Sequence, residues 1–131
     1  MNKNFQIQDG VLFTFSDESV DMRGECELLS VELRPGSSPR IEMRWRIDRS
    51  NQMIEIIFES VDDFMVMGRD TEYPVDSGAM LAIAGFSNRD DYSPDGEFYV
   101  EPTRGMEYMS FVMDDMSAFL IKAESANMRR V

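Results

Sequence analysis

From Ile41 to Ile47, in the stretch Arg40-Ile41-Glu42-Met43-Arg44-Trp45-Arg46-Ile47-Asp48, every odd position is apolar and every even one charged. A repeat of two is the period of a strand, so this segment predicts a strand with one face in a core and the other in water. Arg49-Ser50-Asn51-Gln52 reads as a turn, and Met53 to Glu59 as the returning strand. Matching the inward faces sets the expected register, because a one-residue slip would expose the whole apolar row. Ile47 then faces Ile54, Trp45 faces Ile56 and Met43 faces Phe58. On the outside Arg46 meets Glu55, a cross-strand pair of about 0.2–1 kcal/mol. Trp45, the single tryptophan, is expected in the core.

The same rhythm runs through the rest of the chain. Phe5–Gln8 and Val11–Phe15 read as short strands around Asp9-Gly10, and Glu25 to Leu33 as a strand with Leu29, Val31 and Leu33 inward. Arg34-Pro35-Gly36-Ser37-Ser38-Pro39 is a loop that proline and glycine enforce. Asp63 to Met67 is a brief strand, Gly68 to Gly78 a polar loop, and the apolar run Met80 to Phe86 fits helix or strand. Beyond the loop Asp90 to Gly96, Glu97 to Glu101 reads as a strand and Thr103-Arg104-Gly105 as a turn. Residues 106–123 fit a helical stripe, or two strands, Tyr108–Met113 and Met116–Lys122, about an Asp114-Asp115 turn. The strands match turns recurring every ~8–12 residues. The expectation is therefore one mainly β domain over residues 1–131, an antiparallel sandwich or partly open barrel of roughly seven to nine strands. The alternative is an α+β fold with 106–123 helical.

Composition narrows the chemistry. The chain has 131 residues, 43% of them apolar, which is enough to bury a core without disulfides or metal. The lone Cys26 is expected to be a small buried hydrophobe in a reducing compartment. Twelve methionines read as adaptable core fillers, or as an adaptable contact surface where they flank the acidic residues. The N-terminal residues carry no apolar leader and no run reaches the ~20 apolar residues of a membrane helix, so a cytoplasmic protein is expected.

Catalytic constellations are scarce in the sequence. There is no histidine to activate a serine or the cysteine, lysine occurs only at positions 3 and 122, and no glycine-rich phosphate cradle is present. Asp91-Tyr92-Ser93-Pro94-Asp95-Gly96 resembles the opening of a calcium loop, but Pro102 stands where the closing bidentate Glu belongs. Pro-Asp-Gly before a strand is a turn signal instead. The paired acids 62/63, 90/91 and 114/115 sit in polar, turn-like contexts that supply neither burial nor the facing geometry of an acid–base pair. No catalytic residue, metal or cofactor is expected. Arg40, Arg44 and Arg46 face Glu42, Glu55 and Glu59 on their own hairpin, so that face reads as ion-paired and not as a nucleic-acid surface.

The charge itself is unevenly placed. The net −12 is carried wholly by residues 55–115, with fifteen acids against Arg69, Arg89 and Arg104, while the flanks cancel. Such a field serves solubility, or it draws in a basic macromolecule over about a Debye length, ~8–10 Å at physiological salt. Its acids gather in expected loops, which commonly carry recognition groups. The candidate contact residues are Asp70, Glu72, Tyr73, Asp76, Asp90, Asp91, Tyr92 and Asp95, tyrosines ringed by charge being typical of interface centres.

Residues Ile54-Glu55-Ile56-Ile57-Phe58-Glu59-Ser60-Val61-Asp62-Asp63-Phe64-Met65-Val66 form a strand running into F-x-x-V-x-x-F and then an acidic loop. This layout resembles small bacterial immunity proteins encoded beside polymorphic or contact-dependent toxins. The resemblance implies a non-enzymatic protein that binds one toxin domain, of the basic nuclease type, and blocks its active site. Two other classes compete: an acidic secretion or effector chaperone, which needs amphipathic helices for a dimer surface, and a small-molecule-binding β-barrel lined by the aromatics and methionines.

Overall fold

A computed structural model describes residues 1–48, 50–68, 79–90, 92–93 and 96–131. Strand accounts for 65% and no helix is present among the described residues, so the β expectation holds and the helical alternative for 106–123 falls. Among the described residues ten strands form: β1 (Asn2–Lys3), β2 (Phe5–Gln8), β3 (Leu12–Phe15), β4 (Glu18–Asp21), β5 (Cys26–Arg34), β6 (Arg40–Ile47), β7 (Gln52–Met67), β8 (Leu81–Ser87), β9 (Tyr108–Met113) and β10 (Ala118–Arg130). The larger sheet has the order β5-β6-β7-β10-β9-β8 and curls into a half-barrel, with β1 pairing parallel to β10 beyond the end of β9. β2, β3 and β4 make a small sheet of their own. Its buried row of Phe5, Ile7, Phe13, Phe15 and Val20 joins the inward row of the large sheet in one apolar core.

The β6–β7 hairpin forms on the faces that parity predicts, but two residues out of the expected register. Trp45 pairs with Ile54, Met43 with Ile56 and Ile41 with Phe58; outside, Arg44 and not Arg46 meets Glu55. The expected partners Ile47–Ile54, Trp45–Ile56, Met43–Phe58 and Arg46–Glu55 are thus each displaced. A slip of two keeps every side chain on its face, so hydrophobic matching cannot choose between the two registers. The turn chooses. Ile47 pairs with Gln52 across a four-residue loop in which the Ile47 carbonyl accepts the Asn51 N–H at 3.1 Å, and Asn51 takes φ +54°, a conformation that asparagine tolerates.

Irregularities bend the long strands. In β5 the register shifts between Leu28 and Ser30, leaving Leu29 as the extra residue. The bulge reverses parity: Cys26 is buried and Leu28 packs on the core ahead of it, and Val31 does so after it. Leu29 and Leu33, expected inward, are instead 45% and 50% exposed. β7 and β10 pair along nearly their whole lengths, with a shift at Lys122/Ala123 that accommodates Asp62, two residues beyond Ser60 at φ +52°. Asp63 to Met67 is therefore the far end of β7 and not a separate strand.

Asp9-Gly10 makes the expected turn, both residues at positive φ, and docks it against β8: the Gly10 carbonyl accepts the Ala84 N–H at 2.7 Å, and a Cβ on Gly10 would lie 2.5 Å from Ile83 Cγ1. Residues 97–101, expected as a strand, contribute only a single bridge, Tyr99 to Phe86. Tyr108–Met113 is a strand as expected; the second, expected at Met116–Lys122, begins at Ala118 and runs on to Arg130. Among the described residues no helix is long and apolar enough to cross a membrane.

Trp45 is fully buried, its ring 6.2 Å from Phe111. Replacing Trp45 with Ala is expected to cost about 3–5 kcal/mol through lost contacts and a cavity. Denaturant titration measures the loss. The wild-type emission should be blue-shifted and resistant to quenching by acrylamide, and red-shifted, freely quenched emission would place the indole in water.

Candidate functional site

The charged face of β6 is built as an ion-pair ladder. Glu42 and Glu55 are only 7% and 5% exposed, a depth that carboxylates reach only when paired. Arg34 Nε and Arg40 Nη2 hold Glu42 at 3.2 and 2.9 Å, and Arg44 Nη2 stands 4.0 Å away. Glu55 lies between its two register partners, Arg44 on β6 at 3.0 Å and Arg129 on β10 at 2.8 Å. Arg46 pairs with Glu27 on β5. The hydrogen bond from Arg129, reinforced by Arg44, holds the Glu55 carboxyl below the usual glutamate range against the opposing effect of burial. The arginines of β6 are thus engaged within the molecule.

The acids of residues 55–115 divide into two groups. Asp63 accepts the Tyr108 hydroxyl at 2.7 Å and Arg89 Nη1 at 3.0 Å; the Tyr108 bond is the main reason its carboxyl lies below the usual range. Burial and Asp63 together push the Tyr108 phenol up. Glu101 pairs with Lys3 at 2.9 Å and Glu107 with Lys122 at 3.3 Å. Glu59, Asp62, Asp90 and Glu97 are exposed, and among the described residues no ion pair reaches them.

Of the eight sequence-predicted contact residues, Asp70, Glu72, Tyr73, Asp76, Asp91 and Asp95 lie outside the described residues. Asp90 is exposed, its N–H donating to Asn88 Oδ1 at 2.9 Å. Tyr92 is half-buried and packs edge-on against Phe98, ring centroids 6.5 Å apart. Both rings cover a second apolar cluster, Val112, Ala118 and Leu120, on the face of β9 and β10 opposite the main core. The Tyr92 hydroxyl is buried with no hydrogen-bond partner among the described residues, and burial pushes its phenol up to about 12.

The cover is fixed to β8 through Tyr99, whose N–H and carbonyl bond Phe86 at 3.0 and 2.7 Å. Gly85 permits that approach, since a Cβ there would lie 2.8 Å from Phe98 Cβ and 3.1 Å from the Tyr99 carbonyl. Between cover and sheet lies a cavity of about 120 Å³ whose lining includes Ser87, Asn88, Tyr92, Glu97, Tyr99 and Met106. Ser87 of the lining shares a hydrogen bond with the hydroxyl of buried Ser110. Glu97 accepts the Tyr99 hydroxyl at 3.5 Å. Sequence reasoning placed Glu97 and Tyr99 in a strand and missed their convergence with Tyr92. The only signal was a tyrosine two residues from a carboxylate.

Among the described residues no three His, Cys, Asp or Glu side chains gather as a metal site. Cys26 is fully buried, and burial, with Glu25, Asp48 and Asp21 nearby, raises its thiol to about 12, which leaves it a poor nucleophile at neutral pH. Compared with known proteins, the chain matches no family model, no curated protein and no solved structure.

Because the Glu55 carboxyl titrates lower folded than unfolded, its stabilisation is complete above its ordinary pKa of 4.5 and is lost as pH falls through the depressed folded value. Glu55→Gln should therefore cost about 1–2 kcal/mol at pH 7, the half-exposed arginines regaining water, and progressively less as pH falls below 4.5 through the depressed folded value. Urea denaturation across this pH range measures the difference. Gly85→Ala should cost about 1–3 kcal/mol by forcing Phe98 and Tyr99 off β8. Faster amide exchange at Tyr99 would report the detachment.

Proposed function

We propose that this protein is a non-enzymatic, cytosolic binding protein whose acidic surface occupies a basic protein partner, and that it acts as an immunity protein neutralising a nuclease-type toxin domain. One observation carries the reading: charge is divided across the molecule. Arg40 and Arg44 of β6 are engaged by buried Glu42 and Glu55, and Arg46 by Glu27, which favours a protein partner over nucleic acid, because phosphate binding needs free cations on the surface. Asp90 and Glu97, by contrast, stand exposed beside the Tyr92 cover, without an ion pair among the described residues. A nuclease grips phosphates with basic groups, and an acidic inhibitor is steered to the same surface. The half-barrel interior is filled by Trp45, Phe58 and Phe111, all fully buried, which favours this reading over a ligand-holding barrel.

The test is association kinetics with a candidate basic nuclease toxin domain, at low and high salt. Association should slow steeply as salt rises. Asp90→Lys, at an exposed position, should slow it several-fold at low salt and flatten the salt dependence, with little change in dissociation. Rates indifferent to both salt and the reversal would reduce the acidic stretch to solubility and move the interface elsewhere.

A further inference from the structure

We propose that the cavity between the cover and β8 receives one arginine side chain of the basic partner. The inference rests on the binding role just proposed and names the chemistry of its contact. Four observations converge on a guanidinium. The cavity, about 120 Å³, has room for the head and outer stem of one long side chain, not for a cofactor. Its lining includes two tyrosines, Tyr92 and Tyr99, and a guanidinium stacks on aromatic faces more readily than the strongly hydrated ammonium does. The Glu97 carboxylate supplies the opposite charge, and its recorded bond, from the Tyr99 hydroxyl at 3.5 Å, leaves most of its acceptor capacity open. Ser87 Oγ and Asn88 Oδ1 add neutral acceptors: Asn88 has one lone pair committed to the Asp90 N–H and one in reserve, and Ser87 shares a hydroxyl pair with Ser110.

The Tyr92 hydroxyl is a separate pointer. Among the described residues this buried hydroxyl has no partner, which is unfavourable in the free protein, and a donor-rich guanidinium arriving in the cavity that Tyr92 lines would offer it one. Arginine is moreover the residue through which basic surfaces anchor at interface centres.

The experiment is an amide NMR titration of the whole protein with N-acetyl-arginine methylamide, alongside N-acetyl-lysine methylamide and N-acetyl-glutamate. Deca-arginine binding at two salt concentrations probes the acidic surface independently. The expected result is saturable shifts confined to the Ser87, Asn88, Tyr92, Glu97 and Tyr99 region with the arginine compound. The lysine compound should bind several-fold more weakly, and the glutamate compound should leave these signals unmoved. Glu97→Gln should weaken arginine binding at least tenfold, while Glu59→Gln, which removes an exposed acid elsewhere, should leave it unchanged; unaltered Trp45 emission confirms that both variants fold. Shifts spread without saturation over the acidic residues, equal effects of the two variants, or lysine binding as strong as arginine would overturn the pocket, while salt-dependent deca-arginine binding would leave the acidic-surface reading standing. Failure of deca-arginine as well would overturn both.

Discussion

The fold converges on the ring of Phe111. It stands at the centre of β9, with Phe13 of the small sheet at 6.4 Å, Trp45 of β6 at 6.2 Å and Phe58 of β7 at 6.2 Å and edge-on. The small sheet, the β6–β7 hairpin and β9 therefore meet at one side chain, and all four rings are fully buried. Curling is what makes this possible. A flat sheet would hold β6 and β9 apart by the widths of the two intervening strands, about 4.8 Å for each step, whereas a half-barrel brings their inward faces together. The bulges in β5, β7–β10 and β8–β9 supply the bends, and the small sheet then adds its own aromatic row, with Phe5 stacked on Phe13, to the concave side.

Outside the barrel wall, charge replaces hydrophobicity as the organising term. Burying two carboxylates on the outer face of a sheet is unfavourable unless their oxygens are matched, and here guanidinium groups from β5, β6 and β10 match them. Ile57, also on that face, is buried among these strands although it belongs to neither apolar cluster. The Arg44–Glu55–Arg129 row crosses three adjacent strands at direct register partners. A two-residue slip to the expected register would leave the inward face apolar and put Arg46 in place of Arg44 opposite Glu55, but it would set Glu42 directly opposite Glu59, two like charges face to face. The ladder thus supports the register that the turn selects.

The far side of the sheet shows how packing and recognition can share one element. β9 and β10 bear apolar residues on both faces, and Tyr92 and Phe98 cover the outer one. The cover belongs to the stretch 55–115 that carries the net negative charge, and Tyr92, which shields the second cluster, also lines a small cavity beside Glu97. Expectation cast Tyr92 as an anchor ringed by charge; its ring is also a packing residue, and the buried phenol is the group that its packing leaves unmatched.

Periodicity by itself determined a good deal. It gave strand character to residues 40–47 and 108–113, the inward face of Trp45, the Asp9-Gly10 turn and the division of 106–123 at Asp114-Asp115, because alternation and turn chemistry are local properties. The buried, inert Cys26 followed from composition. The hairpin register, the outward turn of Leu29 and the merging of 63–67 into β7 were settled only in the tertiary structure. A pattern of period two is unchanged by a shift of two, and a bulge reverses parity without leaving a mark in the residues that carry it. The candidate site divides in the same way. Its charge was legible as a sum over residues 55–115. The engagement of Glu55 and Asp63 by arginines, and the meeting of Ser87, Tyr92, Glu97 and Tyr99 around one cavity, depend on which strands become neighbours, and that is decided only when the sheet curls and the cover closes over it.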